Sequence, residues 1–313
     1  MNKKIAFLFP GQGSQVVGMG LDLYEEYDFV REIFDMVDEV TKSPISKLCF
    51  KGPMEELTLT VNLQPAVTAV NLACLAVLQK EGLAPVLTAG HSLGEYSALA
   101  AAQVTGALDT CKLVFKRGHL MHREATKHVG AMHALLGLDI DAVRHVVEEA
   151  KEKGVVAVAN HNTDTQIVIT GAPDAVGHAS ELATAQGAKA IPLKVSGAWH
   201  SELIRGAEED FKAFLETIAF NVPKTPVVFN VTADSESDPK EIKDIMARQL
   251  CSPVRWYDSV CNMQDQGVDV FVEVGPKKVL SGLLRKILPD TYPHTLYNVD
   301  GMKGIERFLK AVA

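Results

Sequence analysis

The 313-residue sequence predicts an α/β protein: a parallel-sheet body that carries an inserted four-stranded unit. Three observations lead there. Short apolar runs alternate with longer Ala- and Leu-rich stretches from the start, the rhythm of strands joined by crossover helices. The middle of the chain departs from that rhythm and runs strand, helix, strand, strand, helix, strand. After it the alternation resumes, so the two flanking halves belong to one body.

Taken in order, residues 5–9 (IAFLF) read as the first strand, which breaks at Pro10-Gly11. Residues 64–79 are Ala/Leu-rich and long enough for a buried helix. A strand over 86–89 runs into a turn, and a helix follows over 95–102. In the middle, 131–137 is a strand, and 141–153 is a helix with apolar spacing at Val143, Val146 and Val147. Strands over 155–160 and 166–170, a helix over 174–186 and an extended run over 188–195 complete the unit. This β-α-β-β-α-β order is the split βαβ or ferredoxin-like pattern. It sets a small subdomain at 127–196, with 1–126 and 197–313 forming the large domain. The body then continues with helices over 207–218, 240–251 and 280–288 and strands over 227–231 and 268–274.

Composition narrows the function. The chain is 47% hydrophobic and 22% charged, ordinary for a globular protein. A formal net charge of −8 argues against a nucleic-acid partner. No run is expected to approach the ~18 apolar residues of a membrane span, and the N-terminal apolar run is too short for a signal-peptide core. Five cysteines, odd in number and without CxxC spacing, read as thiols of a reducing cytoplasm. Ten histidines occur without HExxH or paired Cys/His spacing, so a metal is not expected.

The chemistry concentrates at GHSLG, residues 90–94. Gly-x-Ser-x-Gly between a strand and a helix is the nucleophile-elbow pattern, with small residues where the turn is tight. It presents Ser92 Oγ at a helix N-terminus, where peptide dipoles favour developing negative charge. The Leu93 N–H is then a natural oxyanion donor. His91 should point the other way. Ser92 needs a base, and His200, in KVSGAWHSEL after a Gly-containing turn, is the best candidate. From spacing alone, a surface histidine at a helix start fits His200 equally well. The remaining histidines, His161 among them, are expected in solvent. No carboxylate stands out as a third triad member.

Several segments resemble one family in order across nearly the whole chain: FPGQGSQ at 9–15, QPA at 64–66, GHSLGEYSAL at 90–99, RGHLM at 117–121, VSGAWHS at 195–201, SPVRW at 252–256 and VEVGPKKVLSGLL at 272–284. They resemble the malonyl-CoA:acyl-carrier-protein transacylases and the related polyketide-synthase acyltransferases. The resemblance implies an α/β-hydrolase-like body with a ferredoxin-like insertion. It implies Ser92 as nucleophile and His200 as base, oriented by a backbone carbonyl near Gln249, with Glu202 and Asp210 as the side-chain alternatives. Gln12 would supply the second oxyanion N–H beside Leu93. Arg117 would grip the malonyl carboxylate, since a guanidinium pairs bidentately and keeps its charge. Met121 would lie beside it, and Asn160 and Asn162 would line the cleft.

One position departs from the pattern: malonyl-specific relatives commonly carry Phe before the histidine, and here Trp199 stands there. A larger ring should narrow the space beside the acyl α-carbon and favour malonyl over methylmalonyl. Packing as core is the competing role. The resemblance implies malonyl-CoA and an acyl carrier protein as partners, for fatty-acid synthesis, and acyl transfer through a serine would need no redox cofactor. Carriers are acidic, so docking needs a local basic patch, either Lys277, Lys278, Arg285 and Lys286 or Lys189 and Lys194. The other readings are the acyltransferase of a discrete polyketide or malonate decarboxylase system, a serine thioester hydrolase, and an inactive carrier-binding scaffold. A monomer is expected.

Overall fold

The computed structural model describes residues 3–312 and contains two sheets. The first is a parallel sheet of β1 (Ile5–Phe9), β2 (Leu87–Gly90), β7 (Val227–Val228), β8 (Val270–Val274) and β9 (Thr295–Val299), in the order β7-β2-β1-β8-β9. The second is an antiparallel sheet of β3 (Ala131–Leu136), β4 (Val156–Thr163), β5 (Gln166–Gly171) and β6 (Lys189–Pro192), in the order β4-β5-β3-β6.

β1 and β2 are apolar along nearly their whole length because helices cover both faces of a parallel sheet. The helix Thr60–Lys80 lies against this sheet and is buried almost all round. Its 21 residues are long and apolar enough to cross a membrane, which corrects the expectation that no stretch comes near that length. Burial inside the body accounts for its composition.

The small sheet obeys the two-residue alternation of strands. Leu135, Ile167 and Ile169 face a cluster with Val143, Val146 and Val176 from the helices Ile140–Ala150 and Pro173–Ala185. Met132, Ala134 and Val168 face the other way and join the core of the body. The small sheet is tied to the body at β4, where Val254 N–H donates to the Ala159 carbonyl at 2.8 Å and His161 N–H to the Val254 carbonyl at 2.9 Å. His161 is therefore buried and stacked on Tyr257, not solvated.

Two further differences from the sequence reading have local causes. β7 stops at Val228 instead of continuing to 231, because Asn230 turns aside to the GHSLG loop. β9 has no counterpart in the sequence reading. It is a half-exposed edge strand, TLYNV, without the apolar run of the inner strands.

Candidate active site

Ser92 is the middle of the three residues between β2 and the helix Gly94–Ala101, at φ 50°. A left-handed conformation is costly for a side-chain-bearing residue, and here the packing enforces it. A Cβ at Gly90 would lie 2.0 Å from the Gly94 carbonyl carbon, and one at Gly94 would lie 1.9 Å from the Phe9 carbonyl oxygen. The helix start is thus pressed onto β1 and β2, and Ser92 is turned outward.

His200 is 4% exposed and also sits at positive φ, 62°. Ser92 Oγ lies 2.8 Å from its Nε2. Its Nδ1 lies 3.0 Å from the main-chain carbonyls of both Gln249 and Ser252. Carbonyls only accept, so Nδ1 carries the proton and Nε2 is left to accept from Ser92. Burial first, and the Arg117 charge second, push the imidazole down to about 3, which keeps it neutral in the free enzyme. Glu202 pairs with Arg205 and Asp210 with Arg123 on the surface, so neither side-chain alternative orients the ring.

Arg117 projects from the helix Ala107–Lys127 and is 1% exposed. Nη1 donates to Gln64 Oε1 at 3.1 Å and Nη2 to Ser92 Oγ at 3.1 Å. Both acceptors are uncharged, and Nε has no partner. The guanidinium also rests 5.5 Å from the centre of the Tyr96 ring. Gln64 is itself held by its second contact, Nε2 to Met121 Sδ at 3.3 Å.

These side chains surround a cavity of about 120 Å³ lined by Gln12, Leu93, Arg117, Met121, Asn160 and Trp199 together with Ser92 and His200. Trp199 is 4% exposed and its indole N–H has no partner. A second cavity of about 380 Å³ adjoins it through Gln12, His91 and Asn160 and runs between the two sheets past Asn162, Lys194 and Leu283. Asn160 follows a register shift in β4, an irregularity of the kind that re-aims a side chain. Asn162 Oδ1 lies 2.9 Å from His91 Nε2, so His91 does point away from Ser92. Burial lowers the His91 pKa. The PGQG loop reaches the turn: a Cβ at Gly11 would lie 2.5 Å from the His91 carbonyl oxygen and 3.4 Å from Leu93 N. Every residue assigned to the site from sequence therefore lines the cavities or touches a residue that does.

Sequence reasoning missed four participants. Asn230 Oδ1 accepts from Ser92 N–H at 2.6 Å, and its Nδ2 donates to the Gly90 carbonyl at 2.7 Å, holding the turn from both sides. Ser252 shares the His200 proton with Gln249. Gln64 positions Arg117, and Glu95 lies buried beneath the turn. GHSLGEYSAL and QPA contain Glu95 and Gln64, but nothing local assigns them a partner. Asn230 is 138 residues from Ser92.

A serine hydroxyl on a neutral histidine at a strand–helix turn defines the serine-nucleophile enzymes of α/β architecture. The chain belongs to the acyl transferase domain family, whose model matches residues 6–303. It is 46% identical over 286 residues to the malonyl CoA-acyl carrier protein transacylase of Bacillus subtilis (strain 168), covering 91% of this chain and 90% of that one. It is 42% identical over 287 residues to that of Escherichia coli (strain K12), covering 91% and 93%. Among solved structures, an acyl carrier protein S-malonyltransferase from Vibrio cholerae matches with TM-score 0.93 at 40% identity, over 98% of this chain and 100% of that one. A malonyl-transacylase in complex with its type II PKS acyl-carrier protein matches with TM-score 0.94 at 37% identity, over 99% and 100%.

Proposed function

We propose that this enzyme transfers a malonyl group from malonyl-CoA to the phosphopantetheine thiol of an acyl carrier protein. The observation that carries the reading is Arg117, a buried guanidinium beside Ser92 with uncharged partners and a free Nε–H. A buried guanidinium with an unsatisfied N–H and no carboxylate hydrogen-bonded to it is costly, and a malonyl carboxylate offers the bidentate partner it lacks.

Ser92 Oγ attacks the thioester carbonyl while its proton passes to His200 Nε2. The Leu93 and Gln12 N–H groups hold the oxyanion. The C–S bond breaks, CoA leaves as the thiol with the proton from His200, and a malonyl-Ser92 ester remains. The carrier thiol then gives its proton to His200 and attacks the ester, and Ser92 leaves with that proton. This is ping-pong chemistry that needs no redox step. Met121 and Trp199 bound the acyl pocket, and Trp199 favours malonyl over methylmalonyl. Asn160 and Asn162 line the path by which the pantetheine arm enters.

Residues 127–196 form a ferredoxin-like subdomain inserted in an α/β-hydrolase-like body, a reading supported by the strand order β4-β5-β3-β6. The cleft between body and insertion limits water while the ester waits. The carrier is that of fatty-acid synthesis, and the enzyme works as a cytoplasmic monomer without nucleic-acid or membrane partners. Five free thiols support the cytoplasmic setting, and a net charge of −8 argues against a nucleic-acid partner.

Intact mass after mixing with malonyl-CoA alone tests the reading. A long-lived malonyl adduct, absent from Ser92→Ala, is expected. CoA release without an adduct would replace transfer by hydrolysis.

A further inference from the structure

One buried titratable group has no part in the steps above. Glu95 is fully buried, three residues after Ser92 in the second position of the helix Gly94–Ala101. Its two oxygens serve different segments. Oε1 accepts from the Asn230 main-chain N–H at 2.9 Å, and Oε2 accepts from Gln249 Nε2 in a very short contact. Each partner continues to the reacting pair. Asn230 Oδ1 holds the Ser92 N–H, and Asn230 Nδ2 holds the Gly90 carbonyl. Gln249 Nε2 also donates to the Ser92 carbonyl at 3.0 Å, and the Gln249 carbonyl accepts from His200 Nδ1. Tyr96 O–H reaches Gln249 Oε1 at 3.4 Å and completes the contacts of that amide.

We propose that Glu95 is a positioning residue for acyl transfer: as a carboxylate it clamps Asn230 and Gln249, and through them sets Ser92 and His200 against each other. The inference rests on the acyl-transfer reading. It also accounts for a histidine oriented only by carbonyls, since the carboxylate stands one amide further back. Both donors need an acceptor oxygen, so protonating Glu95 turns one oxygen into a hydroxyl and weakens one arm. The charged and titratable groups around it are Arg117 from the helix Ala107–Lys127, Tyr96 on its own helix, and His200 beyond Gln249. Burial pushes the Glu95 carboxyl up to about 7, against the hydrogen bonds from Gln249 and Asn230 and the Arg117 charge, which lower it. His200, held down to about 3, cannot supply an acid limb near neutrality.

The test is the pH profile of Ser92 reactivity, measured both as kcat/KM for malonyl-CoA and as the rate of modification by phenylmethanesulfonyl fluoride. Wild-type reactivity is expected to fall as pH drops below about 7. Glu95→Gln sets an amide N–H₂ against one of the two donors. It is expected to lower both rates about 10–100-fold at pH 8 and to lose the acid limb. Gln249→Ala keeps the carbonyl for His200 but removes the bond that favours the carboxylate, so the acid limb moves to higher pH. An acid limb that survives Glu95→Gln, or that stays in place in Gln249→Ala, overturns the proposal. Should Glu95→Gln not fold, the Gln249→Ala profile decides. Normal sulfonylation of Ser92 with no malonyl adduct would sink the acyl-transfer reading and leave the Glu95 profile to be judged on the sulfonyl fluoride.

Discussion

The malonyl reading rests on one side chain, Arg117. It is 1% exposed, its acceptors are neutral, and its Nε–H is unsatisfied. A buried polar group left unpaired costs about 1–3 kcal/mol, more when charged. A malonyl carboxylate removes that cost on binding, and an acetyl group does not. The enzyme should therefore prefer malonyl-CoA over acetyl-CoA, and Arg117→Ala should lower the ratio of the two kcat/KM values by about 100-fold or more. An unchanged ratio in a folded Arg117→Ala protein would remove Arg117 from substrate recognition. Arg117→Lys should recover little, because a point charge on a flexible stem cannot replace the planar fork.

At the level of elements, the strand–turn–helix around Ser92 works because two glycines let three backbones meet. A Cβ at Gly94 would lie 1.9 Å from a carbonyl oxygen of β1, so the helix start would have to lift away from the strand. Gly94→Ala should lower Tm sharply or abolish soluble protein. Gly177, inside the helix Pro173–Ala185, has nothing within 4 Å of where a Cβ would sit. Gly177→Ala should stabilise by about 0.5–1 kcal/mol through helix propensity, with the malonylation rate unchanged. Parallel melts of the two variants separate a glycine required by close approach from one the helix merely tolerates.

Across the whole molecule, the mouth of the cleft carries lysines on both sides despite the net charge of −8. Lys194 lines the outer cavity on the side of the small sheet, and the helix Val279–Ile287 lines it on the side of the body, directly after exposed Lys277 and Lys278. Lys277 Nζ also donates to the Gly13 carbonyl, so it is tied to the PGQG loop, while Lys278 is the freer probe of docking. Lys194→Glu combined with Lys278→Glu should raise KM for the carrier severalfold and flatten its salt dependence. Malonylation of Ser92 from a short malonyl thioester without the CoA phosphates should be unaffected. A carrier KM that does not move would place docking elsewhere.

The alternation of strands and helices, the elbow at Ser92, the order of the small sheet's elements and the candidates His200 and Arg117 are all legible along the chain. Each is written within a few consecutive residues, as apolar period, turn glycines or a motif. Tertiary packing alone buries His200 against Ser92, brings the carbonyls of Gln249 and Ser252 to its ring, and sets Asn230 and Glu95 under the turn. Those contacts join residues 49 to 154 positions apart. Their side chains are short polar groups that look alike in solvent and in a core. Burial gives them their roles, and burial follows from how the sheets and helices close around the cleft. β9 and the buried His161 escaped the sequence reading for the same reason: an edge strand and a stacked imidazole owe their places to what packs against them.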